Sequence, residues 1–105
     1  MSEITLGIIG GGQLGSMLAI SAKKLNIKTV IYCDDPHAPA QNFCDKFISG
    51  GYNDKEKIIE FVNLVNCVTF EFENIPFETL NEINKLKPVL PKPSVNRLIQ
   101  HRLAE

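Results

Sequence analysis

Gly10-Gly11-Gly12-Gln13-Leu14-Gly15 stands between a short apolar run and a stretch with helical spacing, and this junction narrows the possible folds more than any other feature. Ile4 to Ile9 reads as a strand that ends in the glycines. Leu14, Met17, Leu18, Ser21, Ala22 and Leu25 then recur at three- and four-residue steps, which predicts a helix over residues 13–25 with that stripe on one face. Asn26 is a suitable stop. A strand, a tight glycine turn and a helix make the first half of a strand-helix-strand unit.

The same alternation continues. Thr29 to Cys33 is rich in β-branched and aromatic residues and reads as a second strand. Prolines punctuate a loop through Asp34-Asp35-Pro36 and Ala38-Pro39-Ala40. Lys46 to Ser49 is a short third strand closed by Gly50-Gly51. Asn53 or Asp54 is expected to cap a helix with Ile58, Ile59, Val62 and Val65 on one side. Cys67 to Phe72 is a fourth strand. Pro76 suits the start of a further helix with Phe77, Leu80 and Ile83 inward. Val89-Leu90 is a short last strand, Pro91-Lys92-Pro93 a stiff break, and Ser94 the cap of a new helical segment. Strands alternating with helices predict an α/β fold, a parallel sheet flanked by helices on both faces.

The fourth strand carries the unusual chemistry. In Phe70-Glu71-Phe72-Glu73-Asn74-Ile75-Pro76 the apolar residues Val68, Phe70 and Phe72 alternate with Thr69, Glu71 and Glu73. Buried carboxylates cost roughly several kcal/mol unless they are paired or bind something. At the C-terminal edge of an open sheet they would line the crevice where ligands bind. The plainer alternative makes them solvated edge residues or acids at a helix N-terminus.

Composition removes several function classes. A chain of 105 residues with a formal net charge of -1 has no broad attraction for nucleic acid or an anionic membrane. No apolar run reaches the roughly 20 residues that span a bilayer. Met1-Ser2-Glu3 lacks the basic start of a secretory signal. Cys33, Cys44 and Cys67 form no C-x-x-C pair and read as reduced, mostly buried cytosolic thiols, with no metal site. His37 reads as a solvated loop residue.

Gly10, Gly12 and Gly15 fit G-x-G-x-x-G, in which glycine lets a phosphate approach the backbone and the helix N-terminus. The spacing admits a dinucleotide site, with Asp34 or Asp35 on a ribose. It also admits close strand-helix packing with no ligand. A dinucleotide leaves the acidic edge unexplained, because that edge repels a pyrophosphate. A ligand with phosphate at one end and amine or hydroxyl donors at the other suits both features. A third possibility is a module that only packs against partners, which an apolar surface patch without ligand binding would favour.

Taken together, Gly7-Ile8-Ile9-Gly10-Gly11-Gly12-Gln13-Leu14-Gly15, Asp35-Pro36 with Ala38-Pro39-Ala40, Tyr52-Asn53-Asp54 and the acidic motif make the chain resemble the N5-carboxyaminoimidazole ribonucleotide synthase family, of the ATP-grasp superfamily. The closing Gln100-His101-Arg102-Leu103-Ala104-Glu105 is similar to the segment that enters the ATP-grasp region. The resemblance implies a Rossmann-like, pre-ATP-grasp substrate-binding domain over residues 1–91, with a linker and the start of the ATP-grasp region over residues 92–105. It implies an ATP- and Mg²⁺-dependent ligase of purine biosynthesis, cytoplasmic and homodimeric. In that family bicarbonate is activated through carboxyphosphate and transferred to the exocyclic amine of 5-aminoimidazole ribonucleotide.

Carried over position by position, the resemblance implies ribonucleotide contacts at Gly12, Gln13, Leu14, Gly15 and Glu73. Glu71 and Asn74 would support them, and Arg97 would contact ATP. Ser16 stands where the family often has Arg or Lys, so one anion contact is expected to be missing. His101 stands where the family often has Asp and reads as a solvated helix residue. The lysines and Mg²⁺-binding carboxylates of an ATP-grasp site are expected beyond Glu105, so the chain alone is expected to be catalytically inert.

Overall fold

The computed structural model describes residues 4–70 and 75–90. Strands β1 (Thr5–Ile9), β2 (Lys28–Cys33), β3 (Lys46–Ser49) and β4 (Cys67–Phe70) form one parallel sheet in the order β3-β2-β1-β4. Helix α1 (Gln13–Lys24) joins β1 to β2, α2 (Lys55–Asn63) joins β3 to β4, and α3 (Phe77–Leu86) follows β4. The chain steps outward from β1 to β2 and β3, then returns to β1's other side. The strand order therefore reverses between β1 and β4, where open sheets of this kind hold ligands.

The period-two alternation of the strands divides the core between two faces. Leu6, Ile8, Ile31 and Cys33 meet Ala19 and Ala22 of α1. Ile9, Val30, Tyr32 and Val68 meet Phe61 and Val62 of α2 and Ile83 of α3. Gly7 makes the second contact possible, since a Cβ there would lie 2.7 Å from Phe61 Cζ. The expected parallel sheet with helices on both faces is what forms. One feature expected of β4 differs. Thr69, on the side expected to be polar, is fully buried, because β4 is covered on that face as well. Phe72, where the strand was expected to end, lies outside the described residues.

The helices begin and end near the expected positions, and each turns only part of its expected stripe inward. On α1 Leu14 and Met17 of the expected stripe are outward, 47% and 55% exposed, while Ala22 is buried, Leu18 and Leu25 pack against the core, and Gly15, Ser16 and Ala19 are buried beside them. Small residues win because they let the helix axis approach the sheet, a gain that apolar periodicity does not register. Asn26 does terminate the helix, in the left-handed region at φ 61°.

On α2 the cap is Asp54, whose carboxylate accepts from the Lys57 N–H at 3.2 Å. Ile59 is 50% exposed, Phe61 is buried in its stead, and Val65 lies buried beyond the helix end. On α3 Phe77 is 79% exposed, while Thr79 and Ile83 face inward. Val89 forms a single parallel bridge to Val68 and not a strand. Among the described residues no helix is long and apolar enough to cross a membrane. Cys33, Cys44 and Cys67 are all free thiols, the first and last buried.

Candidate functional site

Ile9 ends β1 with Tyr32 of β2 on one side and Phe70 of β4 on the other. The glycine turn leaves from this point. The Gly10 N–H donates to the Tyr32 carbonyl at 2.9 Å, and Gly10 adopts φ 117°, which side chains disfavour. Gly11 is buried with no room for a side chain: a Cβ there would sit 2.5 Å from Ala38 Cβ and 3.2 Å from Cys33 Sγ. Gly12 is the extended residue that opens α1, and its carbonyl accepts from the Ser16 N–H at 3.0 Å.

Gln13 and Leu14 thus begin the helix at the C-terminal edge of the sheet, both exposed, with Gly15 buried behind them. Their amides have no acceptor within the helix, and the helix dipole places partial positive charge there. No acidic residue occupies the first turn of α1. An anionic or strongly polar acceptor is the natural complement.

Ser16 is turned into the helix start. Its hydroxyl donates to the Gly12 carbonyl at 3.0 Å and the residue is buried.

Two tyrosines consolidate the neighbouring loops. The Tyr32 hydroxyl donates to the Gly51 carbonyl at 2.5 Å, and its ring packs against Tyr52 and Phe61 at centroid distances of 6.2 and 5.5 Å. Burial, then the nearby Asp54 and Asp34 carboxylates, push the Tyr32 pKa up to about 12. Burial, then Asp34, likewise raises that of Tyr52. Both phenols stay neutral near pH 7. The Tyr52 carbonyl accepts from Thr79 Oγ1 at 2.9 Å, which ties the loop after β3 to the first turn of α3. Alternating patterns gave no sign of this role for Thr79, whose signal is a lone hydroxyl inside an otherwise apolar helix face.

Asp34 and Asp35, the candidate ribose acids, are exposed beyond β2. Asp35 is committed to its own turn, accepting from the His37 N–H at 2.9 Å. Among the described residues no group of three or more His, Cys, Asp or Glu is placed to hold a metal ion. Glu71, Glu73, Asn74, Arg97 and His101 lie outside the described residues. Phe70 ends β4 directly before Glu71 in the chain, and Ile75, directly after Asn74, is buried among the residues of the second core face. The structure thus brings together the glycine turn, Gln13 and Leu14 at the sheet's reversal point.

Residues 3–100 match the ribonucleotide synthetase preATP-grasp domain family. The chain is similar to N5-carboxyaminoimidazole ribonucleotide synthase of Staphylococcus haemolyticus, 37% identical over 96% of this chain and 27% of that protein. The Staphylococcus aureus N5-carboxyaminoimidazole synthetase complexed with ADP has a similar structure, at TM-score 0.78 and 34% identity over 82% of this chain and 23% of that one. An Aspergillus clavatus N5-carboxyaminoimidazole synthase, solved with ADP and 5-aminoimidazole ribonucleotide, matches at TM-score 0.73 and 28% identity over 90% of this chain and 26% of that one. The chain spans about a quarter of the length of the bacterial synthases it matches.

Proposed function

The chain belongs to the ribonucleotide synthetase preATP-grasp domain family, and from that premise we propose that it is the substrate-binding N-terminal domain of an ATP-dependent ligase. The ligase joins bicarbonate to the exocyclic amine of 5-aminoimidazole ribonucleotide in purine biosynthesis. The observation that carries the reading is the glycine turn opening α1 where the strand order reverses, in a chain similar to synthases of that name.

In this reading the turn and the first residues of α1 receive the phosphate or sugar of the ribonucleotide. Gly12 and Gly15 allow close approach, and Gln13 and Leu14 position the ligand. Glu73 accepts hydrogen bonds from ribose hydroxyls or from the amine, with Glu71 and Asn74 supporting it. Residues 92–105 lead toward the ATP-grasp region, and Arg97 contacts ATP there. ATP and Mg²⁺ are held chiefly by the remainder of the longer protein, which works as a cytoplasmic homodimer. Phosphoryl transfer needs positioned metal and cations, and the described residues of this chain offer no metal cluster.

The dinucleotide reading has less behind it. Asp35 is engaged in its own turn, and the relatives are named as ribonucleotide synthases.

The test uses the full-length protein that carries this domain. ADP release that requires both bicarbonate and 5-aminoimidazole ribonucleotide is expected, with a raised KM for the ribonucleotide in Glu73→Gln. Nicotinamide turnover with no response to the ribonucleotide overturns the reading.

A further inference from the structure

We propose that residues 35–43, between β2 and β3, form a fixed strap that sets the geometry of the glycine turn, with Ala40 and Ala38 as positioning residues for ribonucleotide binding. The inference rests on the function proposed above and adds to it residues behind the site.

The strap is closed upon itself. Asp35 accepts the His37 N–H on its carboxylate and the Ala38 N–H on its carbonyl, at 2.9 and 3.2 Å. The Gln41 N–H donates to the Ala38 carbonyl at 3.2 Å, and the Gln41 amide Nε2 to the Pro36 carbonyl at 3.1 Å. Pro39–Asn42 is a short 3-10 helix packed against α1. Such a run of local bonds leaves the segment few ways to move without breaking several of them at once.

One bond leaves the strap for the turn. The Ala40 N–H donates to the Gly11 carbonyl at 3.1 Å, and Ala40 is fully buried. In a trans peptide the carbonyl of one residue and the N–H of the next point in opposite directions. Fixing the Gly11 carbonyl toward Ala40 therefore turns the Gly12 N–H away from the strap. Ala38, also buried, closes the same side sterically, because its methyl occupies the space beside the Gly11 α-carbon. The Gly12 peptide and the helix start that follows it thus take their orientation from a segment that itself need never touch ligand. Small side chains at 38 and 40 are what permit this approach.

The test is kinetic, in the full-length protein. Ala40→Pro removes the donor, whereas Ala40→Gly keeps it. Ala40→Pro is expected to raise the KM for 5-aminoimidazole ribonucleotide roughly tenfold, about the worth of one hydrogen bond, with kcat and the KM for ATP little changed. Ala40→Gly is expected to behave as the parent. An unchanged ribonucleotide KM in Ala40→Pro, or equal losses in every parameter together with a lowered melting temperature, overturns the proposal. If Ala40→Pro does not fold, Ala38→Val decides by the same split between the two KM values: a selective rise supports the strap and no selective rise overturns it. A parent protein that does not carboxylate the ribonucleotide at all refutes the functional reading instead, so the two failures are distinguishable.

Discussion

Ile9 and Phe70 stand opposite one another as the last residues of β1 and β4. From Ile9 the chain enters the glycine turn. From Phe70 it enters the acidic motif at Glu71. Two strand ends far apart in sequence are therefore neighbours at the C-terminal edge of the sheet.

Weak ligand binding at most is expected of the isolated chain. Titration of 5-aminoimidazole ribonucleotide into the isotope-labelled chain is expected to shift the amide resonances of Gln13 and Leu14, while ATP hydrolysis stays absent. Carboxylation of the ribonucleotide by the isolated chain would contradict the assignment of ATP and Mg²⁺ to the rest of the longer protein.

Gly11 and Ala38 are coupled sterically. Gly11→Ala places a methyl 2.5 Å from Ala38 Cβ and is expected to destabilise the domain by about 1–3 kcal/mol. Adding Ala38→Gly opens that space. In denaturant unfolding, the double variant should be more stable than the sum of the two single changes allows. Simple additivity would show that the two residues do not meet.

The buried phenol of Tyr32 gives the fold an alkaline limit. Its pKa is about 12 in the folded chain against 10.0 for a free tyrosine. The folded state thus holds its proton where the unfolded state has released it. Stability is complete below pH 10, falls as pH rises from there, and the contribution is lost by about pH 12. Tyr52 adds to the slope in the same sense. Tyr32→Phe should cost about 1 kcal/mol at neutral pH, through the lost bond to Gly51, and flatten the loss above pH 10. Thermal melts across that range check both parts, and an unchanged slope excludes Tyr32 as its source.

Helix α2 depends on Asp54. Asp54→Ala removes the acceptor for the Lys57 N–H and should lower stability by about 0.5–2 kcal/mol. Asp54→Asn, which keeps an acceptor, should lose little. Equal losses in the two would assign the effect to charge rather than to capping.

Phe77 and Thr79 invert the usual expectation for helix faces. Phe77→Ser is expected to change stability by less than about 0.5 kcal/mol because the ring is exposed. Thr79→Val is expected to cost about 1–3 kcal/mol, since it leaves the loop without its hydrogen bond to α3. Urea midpoints rank the two, and the reverse order would contradict the helix orientation.

The sequence by itself determined the order of the elements, the parallel sheet and the glycine turn at the first strand's end. These depend on short-range features: the β-branched and aromatic run from Thr29 to Cys33, the glycines at 10–12, Asn53 or Asp54 before a helical run. Motif resemblance also pointed to the family, because several short motifs kept their order and spacing. Only the tertiary structure decided which residues of each helix are buried. Leu14, Met17, Ile59 and Phe77 are apolar at helical spacing yet exposed, while Gly15, Ala19 and Thr79 are buried. Periodicity ranks side chains by hydrophobicity, but a helix against a sheet is also governed by how closely its backbone can approach and by which hydroxyl finds a distant acceptor. The Ala40–Gly11 bond and the Thr79–Tyr52 bond join residues with no local relation, so the packed fold alone could place them.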